Sequence, residues 1–95
     1  MKVLAIEKER PGTNPEDFKP YLKEEASQIW NLQQRDFVRE VYFREDQSSA
    51  VLILECDSIQ QANEVLTELP LVKNRLIEFE VIPLKPYPGF ARLFS

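Results

Sequence analysis

Ala50-Val51-Leu52-Ile53-Leu54 limits what this chain can become more than any other stretch. Its residues are apolar at consecutive positions, with polar Ser48 and Ser49 before it and Glu55 after it. Such a run suits a strand with both faces covered. Val3-Leu4-Ala5-Ile6 is a second run of this kind. Phe37-Val38-Arg39-Glu40-Val41-Tyr42-Phe43-Arg44 is rich in β-branched and aromatic residues and reads as a further strand. Glu45 to Ser49 supplies a polar hairpin connection to the central run. Ile77-Glu78-Phe79-Glu80-Val81 alternates and gives the last strand, from about Leu76 to Leu84.

Two helices separate these strands. Arg10-Pro11-Gly12-Thr13 marks a turn, and Asn14-Pro15-Glu16-Asp17 has the residues of a helix start. Pro20 would disturb the first turn, so the regular helix is expected near Pro20, ending around Gln34. Phe18, Tyr21, Leu22, Ala26, Ile29 and Trp30 fall on one stripe. Ser58-Ile59-Gln60-Gln61 reads as a capping box. The second stripe is Ile59, Ala62, Val65, Leu66 and Leu69, and Pro70 is expected to stop that helix. Leu71 to Arg75 then serves as a connection.

The order β-α-β-β-α-β predicts an α+β, ferredoxin-like domain: a four-stranded antiparallel sheet with both helices on one face. The 95 residues suit one domain, 1–95. Helices on one face leave the other face of two apolar strands uncovered. A second subunit packed sheet to sheet is the economical cover, so a homodimer is expected, with a small-molecule cavity between layers. The tail from Lys85 to Phe94 carries Tyr87, Phe90, Leu93 and Phe94, and Pro86, Pro88 and Gly89 disfavour a regular helix or a central strand there. It is expected to dock, most naturally on the partner subunit.

Composition removes several function classes. The net charge of −4 and scattered Lys and Arg argue against nucleic acid. The chain has no histidine and one cysteine, Cys56, which removes the commonest metal ligand and any intrachain disulfide. Only two glycines occur, so there is no phosphate loop. No metal or organic cofactor is expected. The apolar N-terminal run is too short for a signal-peptide core or a membrane span, and a reducing, cytoplasmic setting is expected.

Charges inside apolar strands point to chemistry, because burying them is costly without a partner. Glu55 ends the central strand in register with Val51 and Ile53; Arg39 and Glu40 lie on the second strand with Tyr42, and Glu78 and Glu80 on the last. Together they could supply a pocket with carboxylates, an arginine and a phenol. The plainer reading makes them a solvated face or subunit rim. Trp30, Tyr42 and Phe90 are candidates to line a ligand site or to plug the cavity, and Cys56 reads as an inert buried thiol.

Lys23-Glu24-Glu25-Ala26, Phe37-Val38-Arg39-Glu40, Leu69-Pro70-Leu71 and Ile77-Glu78-Phe79-Glu80-Val81 resemble the muconolactone isomerase-like family, from about Asn14 to the C-terminus. The resemblance implies a dimeric α+β barrel and an isomerase that moves a proton on a small lactone or related acid. It matches Glu25 to a glutamate of the family's first helix and Arg39 to an arginine of its second strand. The family's enzyme carries a histidine where this chain has Glu40. On that footing Glu25, Glu55 or Glu40 is the expected base, and Arg39 the residue that stabilises an enolate or carboxylate. The other function class is a non-catalytic binding or assembly module.

Overall fold

The computed structural model describes all residues, Met1–Ser95. β1 (Lys2–Glu9), β2 (Val38–Phe43), β3 (Ala50–Glu55) and β4 (Ile77–Leu84) form one antiparallel sheet in the order β2-β3-β1-β4. The two runs that are apolar at consecutive positions thus take the two central places. Antiparallel register fixes which residues share a face: Val3 opposes Leu54 and Pro83, and Ala5 opposes Leu52 and Val81. This face meets Leu32 of one helix and Ala62, Val65 and Leu66 of another in a single core. Leu4, Ile6, Val51, Ile53 and Ile82 point to the opposite face, where no element covers them and they stay half-buried.

The helical segments are more broken than the stripes suggest. α1 (Pro15–Phe18) is one turn, with Pro15 at its first position. The Asn14 N–H donates to Asp17 Oδ2 at 2.9 Å. A 3₁₀ turn spans Lys19–Tyr21, and α2 (Leu22–Gln34) follows. Pro20 therefore delays the regular helix, because its ring and missing N–H disfavour an uninterrupted α ladder. α3 (Ile59–Leu66) is capped by Ser58, whose Oγ accepts from the Gln61 N–H at 3.0 Å. Gln61 Oε1 accepts in return from the Asp57 N–H, one residue before the cap.

Three local features differ from expectation. Pro70 opens a new turn, α4 (Pro70–Lys73), where a plain connection was expected, since proline is well suited to a first helical position. A register shift between Val38 and Glu40 leaves Arg39 as a bulge residue. Val38, Val41 and Phe43 then share the helix-side face, while Glu40 and Tyr42 lie on the open one. The tail is neither strand nor α-helix, but Gly89–Phe94 winds as 3₁₀ turns.

Candidate functional site

A cleft of about 550 Å³ opens between the helical segments and one end of the sheet. Its walls come from Pro15 and Phe18 of α1, from Leu22, Ala26 and Ile29 of α2, from Phe43 of β2 and from Leu71 of α4. The stripe that marks α2 as amphipathic thus also supplies a cleft wall. Glu7 and Glu25 lie in this apolar setting and are only 8% and 7% exposed. Glu9, Ser48 and Ala50 complete the lining.

Each buried carboxylate has a local structural reason to be there. Glu7 follows Val3 and Ala5 at alternate positions, so the pleat turns it inward. The backbone pairing of β1 with β3 runs to Ile6 and Val51; just beyond, Glu7 Oε1 accepts from the Ala50 N–H at 3.1 Å. Glu25 sits in the first turn of α2, and its Oε1 accepts from the Leu71 N–H at 2.9 Å. That amide is near the start of α4, where no intrahelical partner exists. Burial raises the pKa of both groups above the ordinary 4.5; the backbone hydrogen bond opposes the rise in each. The charge of Glu9 adds to the rise at Glu7, and the charges of Glu7 and Glu24 add to it at Glu25. Each carboxyl spends one oxygen on the backbone, and no protein donor meets the other. No fully buried side-chain polar atom lacks a partner, so the second oxygens keep some exposure, at residues that line the cleft and, for Glu7, an adjoining groove.

This arrangement suits proton transfer: two carboxyls with raised pKa in a partly desolvated site. It does not suit a metal centre, because no group of three or more His, Cys, Asp or Glu side chains is placed to hold an ion.

Of the residues singled out in the sequence, Glu25 lines the cleft. Glu55 lies at the other end of β3, exposed, with Oε2 3.4 Å from the N-terminal ammonium. Arg39 is exposed, and its Nε donates to the Asp36 carbonyl at 3.1 Å. Glu40 accepts a 2.6 Å bond from the Tyr42 hydroxyl on the open face. That bond, more than the nearby charge, raises the Tyr42 pKa. Trp30, Tyr42 and Phe90 are exposed and outside the cleft lining. Glu25, Glu55 and Arg39 therefore do not converge. Glu78 and Glu80 face Arg10 and Lys8 at 3.8 and 3.0 Å on the surface. Cys56 is buried, and burial pushes its thiol pKa up.

Sequence reasoning overlooked Glu7. The signal was present: the alternation of Val3, Ala5 and Glu7 extends the inward face of β1 by one polar position. The same alternation carries on to Glu9, whereas Ser48 and Phe43 gave no such sign, because a hairpin and a bulge set their places at the cleft.

Comparison with known proteins places the fold. No family model and no curated protein matches the sequence. Among solved structures, muconolactone isomerase is similar with a TM-score of 0.75 and 18% identity, over 94% of this chain and 93% of that one. A 5-chloro-2-hydroxyhydroquinone dehydrochlorinase from Burkholderia phenoliruptrix AC1100, solved with 2,5-dihydroxybenzoquinone, is similar with a TM-score of 0.66 and 18% identity. That match covers 94% of this chain and 98% of the dehydrochlorinase. The α+β architecture expected from the sequence is thus that of muconolactone isomerase, and at this identity the likeness is one of fold.

Proposed function

We propose that this protein is a small-molecule isomerase that moves a proton between two carbons of a lactone or related carbonyl compound, with Glu25 as acid–base group and Glu7 as its partner. The observation that carries this reading is the pair of buried carboxyls that line one largely apolar cleft, each with one oxygen that no protein group satisfies. In the reaction, one ionised carboxylate takes a proton from the carbon beside the carbonyl. The electron pair passes into a dienolate. A carboxyl then returns a proton at the far end of the conjugated system, and the carboxylate is regenerated. No co-reactant is consumed, and the proposal assigns the proton transfers to the carboxyls alone, without a metal or organic cofactor. The names of the two similar proteins, an isomerase of a lactone and a dehydrochlorinase of a hydroxyhydroquinone, agree with a ring-sized ligand.

The same proposal includes a homodimer through the open sheet face, with the tail on the partner subunit. Tyr42, Glu40 and Phe90 then serve the interface and not the cleft. Trp30, Arg39 and Glu55 take surface roles. A reducing, cytoplasmic setting accords with the lone, buried Cys56. No helix is long and apolar enough to cross a membrane.

The test is isomerisation of α-angelica lactone, an uncharged β,γ-unsaturated lactone, followed by NMR in deuterated buffer. We expect the conjugated isomer to form, with deuterium uptake, faster than in buffer. Glu25→Gln should lower the rate about 10²–10⁴-fold. A rate equal to that of buffer, or one unchanged in Glu25→Gln, would defeat the reading. The assembly-module alternative draws on the exposed tail aromatics and predicts association without turnover.

A further inference from the structure

We infer that the cleft selects against negatively charged ligands and takes a ring-sized molecule that is neutral or cationic, with a hydrogen-bond donor toward Glu7 or Glu25 strengthening binding where the ligand has one. This deepens the proposed function, since it names the ligand class for the same site. The charged side chains lining the cleft are Glu7 and Glu9 from β1 and Glu25 from α2, and no Lys or Arg joins them. Glu24, next along α2, adds to the negative potential at Glu25. The walls from α1 and α4 contribute no charge.

The two cations of the neighbouring groove are engaged by carboxylates. A polar groove of about 380 Å³ adjoins the cleft, sharing Glu7, Glu9 and Ser48, and it contains Lys8 and Arg44. Lys8 Nζ lies 3.0 Å from Glu80 Oε1. Arg44 donates to both oxygens of Asp46, at 2.9 and 2.6 Å. An entering anion would therefore meet like charge in a partly desolvated site whose own lining holds no Lys or Arg to offset it, which disfavours it. The free oxygens of Glu7 and Glu25 are acceptors when ionised, so a hydroxyl or ammonium head satisfies them. Phe18, Leu22, Ile29 and Phe43 provide the apolar walls for the ring.

The test compares three ring compounds of matched size on the full-length, isotope-labelled protein at about pH 7.5: resorcinol, benzylamine and benzoate. Binding is read from amide NMR shifts, above all those of Ala50 and Leu71, whose N–H groups donate to the two carboxyls. We expect resorcinol and benzylamine to shift these amides, and benzoate to bind at least about tenfold more weakly. In Glu7→Gln and Glu25→Gln variants that keep the native amide spectrum, the benzoate disadvantage should shrink. Benzoate binding as tightly as resorcinol would overturn the inference. So would shifts that avoid the cleft, or no binding by any of the three. Binding of the donor compounds without lactone isomerisation would remove the catalytic reading alone. Isomerisation with no charge preference would remove the ligand class alone.

Discussion

Glu7 and Glu25 reach the cleft by different local routes, one by strand alternation and one by its place in the first turn of a helix. Both sit above the ordinary carboxyl pKa of 4.5, chiefly through burial. The folded state then holds more protons than the unfolded chain between 4.5 and the folded values. These two groups contribute their stability fully below 4.5 and lose it as pH rises through the raised values. Asp46, held low by its hydrogen bond from Arg44, has the opposite sign but is fully exposed. Thermal melts from about pH 4 to about pH 8 should show a Glu7→Gln, Glu25→Gln double variant gaining relative to wild type as pH rises. A constant difference would mean that neither carboxyl is perturbed. Glutamine keeps an acceptor for the Ala50 and Leu71 amides; alanine does not. Glu25→Ala should therefore cost about 1–3 kcal/mol by orphaning the Leu71 N–H, measured by urea unfolding.

At the scale of elements, short signals were legible where their partners are near in sequence. Ser58 and Gln61 announce the start of α3, and the bond from the Gln61 N–H to Ser58 Oγ realises it. Ser58→Ala should cost about 0.5–2 kcal/mol, read from the shift in denaturation midpoint. Pro70 was expected to stop the second helix, but α3 already ends at Leu66, and Pro70 instead opens α4, whose Leu71 amide donates to Glu25 of another helix. The bulge at Arg39 was not legible, because alternation along one strand cannot show where its neighbour's register slips. Arg75 shows the same limit. It ends α4 at φ 60°, a left-handed conformation costly for a residue with a Cβ. Arg75→Gly should stabilise the fold by about 1 kcal/mol, checked by thermal unfolding.

The whole molecule carries apolar surface that one chain leaves uncovered. Its radius of gyration is 15.3 Å, against about 12 Å for a compact domain of this length. The tail contributes to that excess: Tyr87, Phe90, Leu93 and Phe94 are 64–88% exposed. Tyr87 and Phe90 pack edge to face at 5.1 Å, and Gly89 is buried beneath the Tyr87 ring. The open sheet face adds Leu4, Ile6, Val51 and Ile53. A second copy would cover both. Sedimentation should give a dimer at micromolar concentration for wild type. Ile53→Glu should give a monomer with unchanged far-ultraviolet dichroism, since its side chain points away from the helix-side core. Deleting residues 86–95 should weaken the dimer and lower the melting temperature. A wild-type monomer would refute the assembly, and unchanged association after truncation would show the tail to be free.

The sequence by itself determined the order of strands and helices, the central places of Val3 to Ile6 and Ala50 to Leu54, and the need to cover two sheet faces. These follow from hydrophobic periodicity, which is local and is read one residue against the next. It also brought Glu25 forward, through a resemblance. The tertiary structure alone decided that Glu25 lines the same cleft as Glu7 and that Glu55 and Arg39 lie elsewhere. A cleft is made where segments distant in sequence approach, so its lining depends on register, on a bulge and on the turn that begins at Pro70. Those are properties of packing, and no spacing within a single element encodes them.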